Sequence, residues 1–394
     1  SPLLHLILGS ANQAIAKLDS AIENYRNALK LDSSLIPAYS NLGAALADKG
    51  DLEAAMACYE RVAELDPYHA DVHFNIGSLK LKMEDTDSAM ASFNNALAVQ
   101  PNHFDAKNSM GFIYKTKKDY LSAKECFERA IELNSDFFIA YKNLGDVFYN
   151  MGKYDSAITN YCHAIRLNPE FSEAYSALGN TYREKAEIEK AITNYTLAVK
   201  YNASYVEALF NLASAFFINN DYYNSIIYYN KVVELEPDND TAYRQMGNAF
   251  RNLSVEEYAP ALEEICQKLL DKKNFFGPID MVYPVIKIMK INPNFKNLLT
   301  MSYKIGQEVM VQDFFKELVK FPLLEQVITI CPVPDPDISD LLENTREALI
   351  MNLTKLEFDA KLLHFYSALS IQFFINEYIF ERSECVKELI LEIE

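Results

Sequence analysis

Small residues recur at a fixed interval along the first two thirds of this chain. Gly9, Gly43, Gly77, Gly111, Gly145 and Gly179 are each 34 residues apart, and Ala213 and Gly247 continue the series. Twelve residues after each stands another small residue: Ala21, Ala55, Ala89, Ala123, Ala157, Ala191, Ser225 and Ala259. Four further on comes an aromatic: Tyr25, Tyr59, Phe93, Phe127, Tyr161, Tyr195 and Tyr229. Three beyond that lies Ala28, Val62, Ala96, Ala130, Ala164, Ala198 or Val232. Pro67, Pro101, Pro169 and Pro237 close four of the units. A period of this length marks one supersecondary unit used repeatedly, and it constrains the fold more than any local propensity.

The offsets inside a unit are helical. Tyr39, Leu42 and Gly43, like Tyr141, Leu144 and Gly145, fall on one face of a first helix. Ala157, Tyr161 and Ala164 step by four and three along a second. Small residues at the crossing let two helices approach to roughly 8–10 Å, with the aromatics filling the space beside them. Gly50 and Gly152 mark the turns between paired helices, and the unit-end prolines stop the second helix.

This pattern resembles the tetratricopeptide repeat. The resemblance covers residues 2–239 as seven units, the first degenerate, and adds a first helix from 240. Where the family usually has Trp, this chain has Tyr39, Tyr141, Tyr175 and Tyr243, with His5, His73, Lys107 and Leu209 in the remaining units. After Gly247 the pattern breaks: Pro260 follows Ala259, and Glu263 stands where an aromatic is due. The resemblance implies an all-α fold, a right-handed superhelix of helix pairs (an α-solenoid), followed by a non-repeat helical domain. The expected domains are a repeat array over 1–253, an irregular helical extension over 254–330, and a Pro-rich link with C-terminal helices over 331–394.

In such a superhelix the first helices line a concave groove. A polar residue recurs two positions before the ruler: Asn41, Asn75, Asn143 and Asn211, with Gln245 in phase and Ser109 and Ala177 interrupting. A carboxamide can both donate and accept, so a row of them can hold an extended backbone without reading its sequence. The row resembles that in the repeat arm of O-linked N-acetylglucosamine transferase, which holds protein substrates. Nearby groove phases carry Phe74, Phe112, Tyr149, Phe210 and Phe217, with the cations Lys82, Lys115, Lys142, Arg183, Arg244 and Arg251. Arg244 with Asn248 has the spacing that opens the dicarboxylate clamp of repeat co-chaperones, although the partner residues that should follow are missing. The expected partner is a protein or peptide, acidic or aromatic-containing.

Several classes are disfavoured. With 37 Lys+Arg against 55 Asp+Glu the net charge is −18, the wrong sign for a general nucleic-acid or anionic-membrane binder. No apolar run is long enough to span a bilayer. Of the 11 glycines, those outside the ruler and its turns form no phosphate-cradling loop, so no nucleotide cofactor is expected. His69 and His73 have metal-ligand spacing but no third ligand in phase, and Cys162-His163 points in divergent directions, so no metal or catalytic residue is assigned. Six cysteines without a CxxC pair suit reduced thiols and a cytoplasmic setting.

In the last third, Pro278, Pro284, Pro293 and Pro322 are expected to cut the chain into short helices, with Asp337 capping a helix through Leu349 after the Pro-rich link. The stretch around Phe374, Asn376, Glu377, Tyr378 and Phe380 resembles the helical region of bacterial proteins that fuse such repeats to an S-adenosylmethionine-dependent methyltransferase. That resemblance implies a second reading: this chain is the non-catalytic recognition arm of a larger enzyme, a methyltransferase before a glycosyltransferase. A third reading is a scaffold whose copies associate through the repeat ends.

Overall fold

The computed structural model describes residues 1–255, 257–271, 278–330, 333, 335–352 and 360–375. Among these, helix is the only regular structure apart from a single bridge between Ile305 and Val309. The chain divides into two compact units, Ser1–Ala203 and Ser204–Glu394.

In the first unit, the first helices of successive repeats are α1 (Pro2–Ala14), α3 (Ile36–Lys49), α5 (Ala70–Lys82), α7 (Phe104–Thr116), α9 (Phe138–Asn150) and α11 (Ser172–Glu184). The second helices are α2 (Leu18–Leu31), α4 (Leu52–Leu65), α6 (Thr86–Val99), α8 (Tyr120–Leu133), α10 (Tyr154–Leu167) and α12 (Ile188–Tyr201). Each second helix packs on its own first helix, and α2, α4, α6, α8 and α10 also pack on the first helix of the next repeat. First helices also meet each other directly, as in α5 with α7, α7 with α9 and α9 with α11. Second helices of neighbouring repeats meet less. The array in this unit therefore closes towards its first helices, which form the inner row.

The ruler glycines explain why the pairs sit so tightly. A methyl added at Gly43, Gly77, Gly111, Gly145 or Gly179 would stand 2.6–2.7 Å from a ring carbon of Tyr59, Phe93, Phe127, Tyr161 or Tyr195. Each aromatic thus lies against the bare backbone of its partner helix. Those rings are buried, as are the alanines flanking them, Ala157 and Ala164 around Tyr161 among them. Full burial of one such side chain stabilises by about 1.5–3 kcal/mol, repeated at every unit.

Turns between paired helices follow the same period. Ala16, Gly50, Glu84, Lys118, Gly152, Ala186 and Asn220 all take φ between 56° and 90°. That left-handed conformation reverses the chain in few residues. At the next position Asp51, Asp85 and Asp119 cap α4, α6 and α8, each carboxylate accepting the backbone N–H three residues on at 3.1–3.2 Å.

The second unit begins with a further repeat pair, α13 (Val206–Ile218) and α14 (Tyr222–Leu235), followed by α15 (Asp240–Asn252). Non-repeat helices follow: α16 (Pro260–Asp271), α17 (Pro278–Ile291), α18 (Pro293–Ser302), α19 (Val311–Leu318), α20 (Pro322–Ile330), α21 (Pro336–Asn352) and α22 (Ala360–Ile375). α17 packs on α15, and α16, α20 and α22 build out from there.

Two local expectations are corrected. Pro284 does not cut the chain; it lies within α17, while Pro293 and Pro322 do open helices, and the residues before Pro278 lie outside the described residues. Asp337 falls in the first turn of α21, and Asp335 caps it instead, accepting the Ile338 N–H at 3.2 Å. Asn376, Glu377, Tyr378 and Phe380 lie outside the described residues, as does the Phe374 side chain.

Candidate peptide-binding face

The polar row of the first unit lies on the inner helices, at the seams between neighbours. Asn143 on α9 is only 9% exposed and donates Nδ2–H to Asn108 Oδ1 on α7 at 3.0 Å. Asn41 on α3 donates to Ser10 Oγ on α1 at 3.4 Å, a weaker bond. Asn75 on α5 is half-buried, and neither atom of its carboxamide is hydrogen-bonded among the described residues. The Asn108–Asn143 bond leaves Asn108 Nδ2 and Asn143 Oδ1 open. These amides therefore act partly as struts between first helices and partly as unspent donors and acceptors along the inner wall. In the second unit, Asn211 is half-buried on α13. There Gln245, Asn248 and Arg251 form a chain along α15: Asn248 Nδ2 donates to Gln245 at 3.3 Å and Arg251 to Asn248 Oδ1 at 2.6 Å. Arg244 on the same helix is exposed.

The aromatic candidates divide. Phe112 is 40% exposed on α7, with Lys115 Nζ 5.3 Å from its ring centroid. Phe74 packs instead against Phe93 and His103, with centroids at 5.7 and 4.9 Å. Tyr149 is half-buried beside Tyr154, and burial and then the nearby Glu184 carboxylate push its phenol up, with Arg183 acting against them. Arg183 reaches Glu184 at 3.5 Å. In the second unit Phe210 sits edge-on to Tyr229 at 5.3 Å and Phe217 edge-on to Tyr222 at 5.4 Å.

One cluster joins two candidate cations through Asp146, which lies outside the polar and aromatic phases named above. Lys115 of α7 and Lys142 of α9 both donate to Oδ2 of Asp146, at 2.8 and 2.9 Å. The other oxygen, Oδ1, accepts the Tyr161 hydroxyl at 3.0 Å. The side chains of Lys115 and Asp146 are 16% and 17% exposed, that of Lys142 25%. The two ammonium groups lie within about 6 Å of each other, where like charges repel by ~3 kcal/mol at an effective dielectric of about 20. Asp146 is what holds them together. Burial, with the Asp146 charge next, keeps the Tyr161 phenol well above its usual range, so it serves as a neutral donor.

Asp146 belongs to a further register. The second-helix tyrosine bonds the residue immediately after the ruler position: Tyr25 with Ser10, Tyr161 with Asp146, Tyr195 with Asn180 and Tyr229 with Ser214. Where the aromatic is Phe127, that position is Phe112, with no hydroxyl to satisfy. The sequence carries this pairing only in part, since Tyr59 shares its register with Ala44 and Phe93 with Ser78.

Among the described residues no His/Cys/Asp/Glu group has metal-site geometry, and no helix is long and apolar enough to cross a membrane. Burial raises the thiols of Cys58, Cys126 and Cys162 above their usual range, which disfavours the nucleophilic thiolate.

Family models of the TPR repeat match residues 17–50, 145–185 and 179–219, and models of the tetratricopeptide repeat match 36–69, 70–103, 104–137 and 206–239. Together they span more than half of the chain. No curated protein sequence matches it. Among solved structures, it is similar to the APC/C hetero-tetramer Cut9-Hcn1, with a TM-score of 0.52 and 14% identity over 59% of this chain and 48% of that one. It is also similar to a tetratricopeptide repeat protein from Parabacteroides merdae ATCC 43184, with a TM-score of 0.50 and 16% identity over 63% of this chain and 98% of that one. At these identities both likenesses speak for the fold alone. A third is YrrB, described as a TPR protein with an unusual peptide-binding site, at 25% identity and a TM-score of 0.37 over 48% of this chain and 97% of that one. The 34-residue period, the glycine-on-ring crossings and the family models agree: the chain belongs to the tetratricopeptide repeat family, whose repeats typically serve as protein–protein interaction modules.

Proposed function

We propose that the inner row of first helices binds an extended segment of a partner protein. The supporting observation is the set of unspent carboxamide atoms on that row, both ends of Asn75 with Asn108 Nδ2 and Asn143 Oδ1. Polar atoms half-withdrawn from water gain more from a ligand's hydrogen bond than fully solvated ones do. An extended backbone presents N–H and C=O groups in alternation, and carboxamides can meet either. The face holds a segment without cutting or modifying it, so the activity assigned to this chain is binding.

The test is a peptide selected against the full chain from a random unstructured library, titrated by calorimetry. With about 1 kcal/mol per hydrogen bond, Asn75→Ala combined with Asn143→Ala should weaken binding roughly 10- to 30-fold. Circular dichroism should show that the helical content is kept. Unchanged affinity would reject the carboxamide row as the gripping element.

A further inference from the structure

We propose that the seam between α7 and α9 contains a subsite for an acidic side chain of the bound segment; this rests on the peptide-binding reading above and specifies which residue the segment must carry. Lys115, Lys142 and Asp146 together hold a net charge of +1, and their shared contact at 2.8 and 2.9 Å spends only one N–H of each ammonium. Turning Asp146 away to release the lysines would also break its bond with the Tyr161 hydroxyl at 3.0 Å. The remaining N–H donors are thus held side by side on partly buried side chains, where screening by salt is weaker than at an open surface. A carboxylate carries the single negative charge that would bring this cluster to neutrality.

The surroundings fit a peptide rather than a free anion. Phe112, exposed on α7 beside Lys115, offers an apolar surface next to the charge. The open Asn108 Nδ2 and Asn143 Oδ1 lie further back on the same two helices. Asn143 precedes Asp146 by three residues and Asn108 precedes Lys115 by seven, which is about 4.5 and 10.5 Å along a helix. Both distances lie within about three residues of an extended chain at roughly 3.3 Å each, so one segment can meet the amides and the lysines together.

The experiment uses the full chain and a labelled nine-residue amidated peptide of alternating glutamate and serine with a central phenylalanine. It is compared by fluorescence anisotropy with an isostere in which every glutamate is glutamine. The wild type should prefer the glutamate peptide at least tenfold at low salt, and the preference should shrink as salt rises. Lys115→Gln with Lys142→Gln should abolish the preference, while Lys117→Gln, which removes an exposed charge paired with Asp87, should keep it. Equal affinity of the wild type for both peptides overturns the subsite and leaves the peptide-binding face standing. Failure of both peptides to bind overturns the face and the subsite together. If the glutamine peptide gains equal affinity once its C-terminus is left as a free acid, recognition belongs to the chain end, and the side-chain subsite is rejected.

Discussion

Replacing Gly145 by Ala tests the packing on which the whole inner face depends. The new methyl would lie 2.6 Å from Tyr161 Cε1, 2.8 Å from Cδ1 and 3.0 Å from Cζ. Ordinary carbon contacts lie near 3.5–4.0 Å, so the ring must retreat by about 1 Å. Retreat is resisted on both sides, since Tyr161 is 1% exposed and its hydroxyl is tied to Asp146. Overpacking of this kind costs ~1–3 kcal/mol, while Ala in place of Gly inside a helix returns about 1 kcal/mol. The expected net effect is a loss of up to about 2 kcal/mol. With Tyr161→Leu already in place the clash is gone, and Gly145→Ala should stabilise by about 1 kcal/mol. Urea unfolding followed by far-UV circular dichroism on the four members of this cycle reads the reversal of sign directly. Ala213, fully buried at the same ruler position above Tyr229, shows that a methyl is admissible where the pair is built around it. If Gly145→Ala stabilises in both backgrounds, glycine is not what sets the approach of the helices.

Two further outcomes follow from local geometry. Lys118 holds φ at 60° in the turn before α8, a conformation costing an L-residue roughly 1–2 kcal/mol, of which glycine's larger unfolded entropy gives back ~0.4–1 kcal/mol. Lys118→Gly should therefore raise the melting temperature slightly, and a fall would refute the strain argument. Hydrogen bonds from Ser88 and Ser122 hold the Asp85 and Asp119 carboxyls below their usual range. Their stabilisation is complete above the unfolded aspartate pKa of about 4 and is lost as pH falls through the lower folded value. Asp105, raised by burial, contributes in the opposite sense. Melting temperature should drop on acidification from pH 5 to 3, and drop less in Asp85→Asn with Asp119→Asn, which caps without titrating; identical slopes would refute the assignment.

The repeat and its helix pairing were legible because glycine, alanine and the ring must coincide at every crossing, and residue identity carries that demand. The inner face was legible less evenly. Asn41, Asn75 and Asn143 share a phase, yet the Asn143 amide is spent on Asn108 while that of Asn75 is not, because the residue 35 positions earlier is Asn108 in one case and the shorter Ser40 in the other. Phe74 was chosen by phase, but His103 and Phe93 occupy its ring. Asp146 was passed over because its neighbours Lys115 and Tyr161 lie 31 and 15 residues away and meet it only once the helices are stacked. In the last third the chain lacks a period, and proline is the main local signal of a break. Pro284 shows that packing on neighbouring helices can carry a helix through it.

The most direct measurement is photo-crosslinking of the selected peptide, carrying benzoylphenylalanine at its centre, to the full chain, with the adducts mapped by mass spectrometry. Binding along the first-helix row predicts adducts on α5, α7 and α9, lost when unlabelled peptide competes. Competable adducts confined to α6, α8 and α10, on the second-helix side, would contradict it.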